Sequence, residues 1–257
     1  MKKTALITGA SNGIGLELAQ IHAAKGDNLV LVARSLDKLQ ALKSQLETAH
    51  AISVHIIGKD LSQVNAAQEV FDQLQEQQIT VDYLINNAGF GDFGFFVNTS
   101  WEKQEQMLQL NIIALTQFTK LFIQQMVANK GGKIMNVAST AAFQPGPMMA
   151  VYFATKAYVL SFSEAIHNEM TGLGVSVTAL CPGATESGFQ EAAAMQNSNL
   201  VKGKKLPTSK EVAEYGYNAM MQGKSVAIHG TLNYIMANSI RLMPRSWVVK
   251  ITRMIQD

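Results

Sequence analysis

Seven short apolar runs, most of them followed by a longer stretch with helical periodicity, constrain this chain more than any other feature. The runs are TALIT (4–8), NLVLVA (28–33), SVHII (53–57), VDYLI (81–85), KIMNVA (133–138), VSVTAL (175–180) and SVAIH (225–229). They are nearly continuous in apolar residues rather than alternating, the pattern of parallel strands covered on both faces. Helical stretches fall near 14–25, 36–49, 63–78, 101–128, 150–172 and 209–222. Strand alternating with helix predicts an α/β chain, doubly wound around one parallel sheet. No repeat, low-complexity tract or linker divides the 257 residues, so 1–257 reads as a single domain.

Composition narrows the partners. A hydrophobic share of 47% against 16% charged supplies a large core, and a net charge of +2 gives no reason to expect nucleic acid. The single cysteine, Cys181, excludes an internal disulfide. The N-terminal MKKTALITGA starts like a signal peptide, but glycines from Gly9 to Gly15 break the apolar run early. No stretch approaches the ~18 apolar residues of a spanning helix. The expectation is a soluble, cytoplasmic protein.

The first run passes directly into TGASNGIG, residues 8–15. A glycine loop between a first strand and a first helix lets a backbone approach a pyrophosphate and aims a helix N-terminus at its charge. A ligand-free glycine turn has the same letters. At the end of the second run, where an acid would bind the ribose 2′-hydroxyl of NAD, stand Ala33 and Arg34. Arg34 is the only arginine in the first 240 residues, and a guanidinium fork suits a 2′-phosphate. The expected cofactor is therefore NADPH/NADP, ahead of NAD. Asp60 reads either as an adenine contact or as an acid that starts the next helix. NNAG (86–89) closes the fourth run with residues that tolerate a close ligand, or a plain turn.

In YFATK, Tyr152 and Lys156 sit four apart, so on a helix they share one face. A phenol of ordinary pKa ~10 is a poor base near neutrality, and a cation within ~4–6 Å favours its ionised form.

TGASNGIG, NNAG, Asn111, Ser139, YFATK and PG (182–183), in that order, resemble the short-chain dehydrogenase/reductase family from the first strand to the sixth. ARSLDKL, NNAGFGDFG and CPGATESGF are similar to a bacterial, NADP-preferring subgroup of broad or unassigned substrate. The resemblance implies a Rossmann-like fold with a seven-stranded parallel sheet and helices on both faces. It also implies reversible hydride exchange with a small-molecule carbonyl/alcohol substrate, and a homodimer or homotetramer. Carried over residue by residue, it makes Tyr152 the proton donor or acceptor. Lys156 lowers the phenol pKa and bonds the nicotinamide ribose, Ser139 holds the substrate oxygen, and Asn111 holds a relay water. The cofactor contacts would be Gly9, Ser11, Asn12, Gly13, Ile14, Gly15, Arg34, Asp60, Leu61, Asn87, Ala88, Gly89, Tyr152, Lys156, Pro182, Gly183, Thr185 and Ser187. Asn12 stands where some NADP-preferring relatives carry a basic residue. Ser187 replaces the usual threonine, with Thr185 as a second hydroxyl and Ser187 the favoured nicotinamide-side contact. Ser139 and Asn111 also read, one at a time, as a polar strand end and a buried asparagine.

The function expected is NADP(H)-dependent reduction of an apolar or mid-sized carbonyl compound. The alternatives are an acyl-thioester ketoreductase, a steroid or fatty-acyl dehydrogenase, and a dinucleotide-binding sensor without turnover. Phe90, Phe93, Phe95 and Phe96 either line an apolar pocket or pack under a loop. The segment 184–208 is long for a connection and reads as a substrate loop. Within it Lys202, Lys204 and Lys205 read as a solvated face. The five histidines fall in no motif, and no metal-ligand spacing is present.

Residues 231–257 read as a C-terminal helical extension with four basic residues and one acid. From Ser246, a polar stripe of Ser246, Lys250, Arg253 and Asp257 opposes an apolar face of Trp247, Val248, Ile251, Met254 and Ile255. That amphipathic helix packs on its own domain, forms a subunit interface, or lies on a membrane surface, in that order of expectation.

Overall fold

The computed structural model describes residues 2–189, 193, 203 and 205–256. Its strands are β1 (Thr4–Thr8), β2 (Asn28–Ala33), β3 (Val54–Gly58), β4 (Tyr83–Asn86), β5 (Gly132–Val137), β6 (Val175–Cys181) and β7 (Val226–Ile228). All pair in parallel in one sheet of order β3-β2-β1-β4-β5-β6-β7. Each coincides with an expected run to within about two residues, a boundary tolerance inherent in such readings.

The two-residue period of the strands makes two cores. Ala5 and Ile7 of β1 and Leu29 and Leu31 of β2 point to one face. There they meet α1 (Gly13–Ala24), α2 (Leu36–Ala49) and α7 (Ser209–Met221). Leu6, Val30 and Val32 point to the other face and meet α3 (Ala66–Glu76) and α5 (Leu115–Ala128). The long α6 (Ala150–Glu169) adds Val159 and Leu160 to a third cluster on β6. Apolar residues on both sides of every central strand therefore call for helices on both faces.

Two helical readings change. The expected 63–78 helix begins only at Ala66, because Asn65 takes a left-handed backbone (φ 65°) and stops it. The expected 101–128 helix is α4 (Trp101–Leu108) and α5 joined through a π-helical turn, Gln109–Ala114, that contains Asn111. After β7 the expected helical extension comprises α8 (Thr231–Ser239), a short 3₁₀ turn (Ile240–Leu242) and α9 (Arg245–Gln256).

The orientation of α9 corrects the expected apolar face. Val248, Thr252 and Gln256 are buried, whereas Trp247, Ile251, Met254 and Ile255 are exposed. Only Val248 of the expected face is buried. Asp257 lies outside the described residues, as do Lys202 and Lys204.

The segment 184–208 is clasped at its base. Glu186 and Thr208 form an isolated parallel bridge, the Glu186 N–H donates to the Pro207 carbonyl (2.8 Å), and the Ser209 hydroxyl donates to the Glu186 carbonyl (2.8 Å). A capping box between Thr208 and Glu211 then starts α7.

Candidate active site

β1 and β4 are neighbours at the centre of the sheet, and their connections leave in opposite directions. Ligands bind beyond the carboxyl ends of the strands at such a switch point. A cavity of about 790 Å³ opens there, within the usual range for a ligand cleft. Eighteen of the twenty expected site residues line it: Gly9, Ser11, Asn12, Gly13, Ile14, Arg34, Asp60, Leu61, Asn87, Ala88, Gly89, Ser139, Tyr152, Lys156, Pro182, Gly183, Thr185 and Ser187. Gly15 and Asn111 stand behind the wall.

The glycine loop needs glycine at particular points. Gly9 has φ +67°, and a Cβ there would come within 2.8 Å of Asn87 Nδ2. At Gly15 a Cβ would sit 2.4 Å from both Asn87 Nδ2 and the Gly9 carbonyl, so this glycine lets α1 close onto the loop rather than touching a ligand. Asn87 is the clasp between strands: its amide donates to the carbonyls of Thr8 (3.0 Å) and Gly9 (3.1 Å). The backbone N–H groups of Asn87 and Ala88 donate to Thr8 Oγ1, each at 3.0 Å. Asn12 precedes α1 without a side-chain cap, which leaves the first-turn N–H groups directed at the cleft. The start of the 184–208 segment lies against this loop, since a Cβ on Gly13 would approach Ser187 Cβ at 3.3 Å.

One end of the cleft is cationic. Arg34 leaves β2 exposed, joined by Ser35, Lys38 and Lys59 on the wall. Lys38 stands in the first turn of α2, four residues after Arg34, a signal the sequence reading passed over. Lys59 pairs with Glu69. Burial works to raise the Asp60 pKa, but hydrogen bonds from the Ser62 backbone (2.9 Å) and hydroxyl (2.7 Å), with the Arg34 charge, leave it below the usual carboxylate range. Asp60 thus shapes the turn before α3, and its side chain remains on the cavity wall.

At the other end, Tyr152 and Lys156 of α6 are both buried. Lys156 Nζ donates to the Val137 carbonyl at 2.7 Å and lies 5.8 Å from the Tyr152 ring centroid. Ser139 follows β5 in extended conformation. Its hydroxyl accepts from the Ala141 N–H (3.1 Å) and donates to the Pro182 carbonyl (3.4 Å). Burial pushes the Tyr152 phenol up to about 12, opposed by a hydrogen bond with Ser139. Burial brings the Lys156 ammonium down to about 8, opposed by Cys181. Among the chain's own groups, burial is the largest influence on both.

Asn111 is buried in the π-helical turn, a feature common near functional sites. Its amide donates to the Phe90 carbonyl (3.0 Å) and Thr155 Oγ1 (3.1 Å) and accepts from the Phe90 N–H (3.2 Å). It braces the wall beside Gly89, where a Cβ would sit 3.0 Å from Asn111 Oδ1 and 3.6 Å from Lys156 Nζ.

Several wall residues escaped the sequence reading. Phe189 packs on Tyr152 with ring centroids 5.3 Å apart, in a cluster with Met149, Phe153 and Phe90. Thr252, Ile255 and Gln256 reach the cavity from α9. The four phenylalanines divide: Phe90 lines the cavity and Phe93 packs beside it, while Phe95 and Phe96 are exposed. No histidine lines the cavity, and no metal-ligating cluster occurs among the described residues.

The residues fit a dinucleotide: an uncapped helix N-terminus behind a glycine loop, cations at one end, and a buried phenol–ammonium pair at the other. Comparison with known proteins agrees. Residues 3–198 match the family model for short chain dehydrogenases. A mouse (Mus musculus) protein, 17-beta-hydroxysteroid dehydrogenase type 3, is 32% identical over 187 residues, 71% of this chain and 60% of that protein. The chain thus spans about three fifths of the length of that relative. A short-chain dehydrogenase from Sphingobium yanoikuyae, solved in complex with NADPH, superposes with TM-score 0.84 at 31% identity, covering 93% of this chain and 94% of the other. A bulky-bulky ketone specific alcohol dehydrogenase from Comamonas testosteroni superposes with TM-score 0.80 at 30% identity, covering 93% and 92%.

Proposed function

This chain belongs to the short-chain dehydrogenase family, and we propose that within it the protein is an NADP(H)-dependent reductase of apolar, mid-sized to bulky ketones or aldehydes. The observation that carries the reading is one cavity that joins the Tyr152/Lys156/Ser139 end to the glycine loop and Arg34. The NADPH bound to the Sphingobium relative and the substrate class named for the Comamonas relative support it.

The loop from Gly9 to Ile14 and the N-terminus of α1 would hold the pyrophosphate. Arg34, with Ser35 and Lys38, would hold the 2′-phosphate. Residues 87–89, 182–183, Thr185 and Ser187 would flank the nicotinamide end, with Lys156 on its ribose. The cofactor would supply the hydride. The chain's own task is the proton. A carbonyl reduced to an alkoxide takes one proton, and the Tyr152 hydroxyl, neutral at pH 7 with a pKa of about 12, is able to donate it. Ser139 orients the substrate oxygen from β5. Reprotonation of the phenolate would run along Lys156 and a water held near Asn111. Phe90, Met149 and Phe189 give the substrate side an apolar surface around the phenol.

The test is consumption of NADPH and NADH with a panel of apolar ketones and aldehydes, for wild type and Tyr152→Phe. Wild type should turn over with NADPH. The variant should lose at least about a hundredfold in kcat, the lower range for a lost general acid, and bind NADPH as before. Tight NADPH binding by wild type with no turnover on any carbonyl would refute the reductase reading in favour of a sensor.

A further inference from the structure

Beside the cleft, where a Cβ on Gly183 of its wall would lie 2.6 Å from Asn233 Nδ2 of α8, the C-terminal helices are apolar, exposed and basic. Of α8 only Ala237 is buried, which leaves Leu232, Tyr234, Ile235 and Met236 in solvent. Leu242, in the turn that follows, is 89% exposed. On α9 the buried line of Val248, Thr252 and Gln256 turns toward the body of the protein. On the opposite side of that helix Trp247 is 61% and Met254 69% exposed, with Lys250 between them. Across the mouth, Phe95, Phe96, Val97 and Trp101 are exposed as well. The two lips touch, because the Arg253 guanidinium carbon lies 4.7 Å from the Phe95 ring centroid. Isolated exposed apolar residues need no explanation, but so many on consecutive C-terminal helices beside one cleft do.

Charge identifies the occupant. Residues 231–256 contain Arg241, Arg245, Lys250 and Arg253 and no Asp or Glu, and they hold three of the chain's four arginines. A second copy docked through this face by a two-fold axis would bring like charges together. An anionic lipid surface would complement them. Trp247 and Tyr234 have an apolar body and a polar tip suited to the headgroup boundary. No helix among the described residues is long and apolar enough to cross a membrane, so contact of this kind is peripheral.

We propose that α8, the turn after it and the outer face of α9, together with the 95–101 lip, form a docking surface for an anionic bilayer. The mouth of the cleft then opens toward the lipid.

The test is co-sedimentation of the full chain, without cofactor or substrate, with vesicles of phosphatidylcholine alone or with about 30% phosphatidylserine. Read this way, a failure of the reductase assignment leaves the result intact. Wild type should bind the anionic vesicles at least about tenfold better than the neutral ones, and less at high salt. Trp247→Glu with Met254→Glu, and separately Arg241→Glu with Lys250→Glu, should each lose about tenfold. The second pair changes only exposed polar positions, so it serves even where the first disturbs folding. Equal binding to both vesicle types, no binding by wild type, or unchanged binding by both variants would overturn the proposal. So would sedimentation velocity showing an oligomer that the double glutamate variant dissociates, with no lipid binding by wild type.

Discussion

Replacing Lys156 with methionine should separate what the buried ammonium costs the fold from what it does for turnover. Its pKa falls from 10.5 to about 8 through burial, which corresponds to about 3 kcal/mol of destabilisation at neutral pH. The sign follows from proton counting. Between about pH 8 and 10.5 the unfolded chain keeps the lysine proton while the folded chain has released it, so stability rises with pH. From pH 7 to pH 9.5 the gain works out at about 2 kcal/mol from this one group. Methionine keeps the length of the side chain but has nothing to titrate. At pH 7 Lys156→Met removes the cost of the buried charge and forfeits the 2.7 Å bond to the Val137 carbonyl, itself worth about 1–3 kcal/mol. The variant should therefore be as stable as wild type or up to about 2 kcal/mol more stable at pH 7, with turnover lost. Urea unfolding across the pH range, read as wild type minus variant, cancels the groups that titrate alike in both, and Tyr152 and Cys181, each at about 12, stay protonated below pH 9.5. That difference should climb by about 2 kcal/mol between pH 7 and 9.5. Curves that run parallel to within about 0.5 kcal/mol would refute the assignment of a strongly desolvated ammonium.

Arg34→Ala should raise the Kd for NADPH by about ten- to a hundredfold and change that for NADH by less than about threefold, measured by fluorescence titration; equal losses would remove the 2′-phosphate role. Asn136→Ala should cost about 2–4 kcal/mol in chemical unfolding, because Asn136 is fully buried, accepts from Asn86 (2.9 Å) and donates to the Ser163 hydroxyl (3.0 Å).

Which parts of this molecule could be read from its sequence depended on how local their cause is. The strands were legible because a strand covered on both faces must be apolar at almost every position, and TALIT or NLVLVA shows that without knowledge of neighbours. The glycine loop was legible for a related reason: Gly9 and Gly15 are required by contacts with Asn87, at the end of another recognisable strand. The inward face of α9 was not. A helix moment tells which side is apolar, not which side is covered, and α9 lies along a cleft whose wall accepts Thr252 and Gln256. Phe189 was equally hidden, since its contact with Tyr152 is set by where a 37-residue separation in sequence closes in space. The interruption of the 101–128 helix at Gln109–Ala114 also left no mark, because the helical apolar spacing runs through it without a proline or glycine.

Tyr152 and Lys156 shift in opposite directions for one reason. Burial favours the neutral form of each, raising an acid that becomes an anion and lowering a cation. For reduction, that environment is permissive: the phenol arrives protonated throughout the neutral range and meets an alkoxide, a far stronger base. Oxidation asks the reverse, a phenolate formed before the hydride leaves, and a phenol near 12 populates it to only about one part in 10⁵ at pH 7. A positive charge brought beside the phenol is what would change this, and on the proposed reading the oxidised nicotinamide carries one while the reduced form does not. The acidity of Tyr152 would then follow the redox state of the cofactor rather than the spacing of Tyr152 and Lys156 on α6. That spacing holds the ammonium 5.8 Å from the ring, near enough to strengthen the effect.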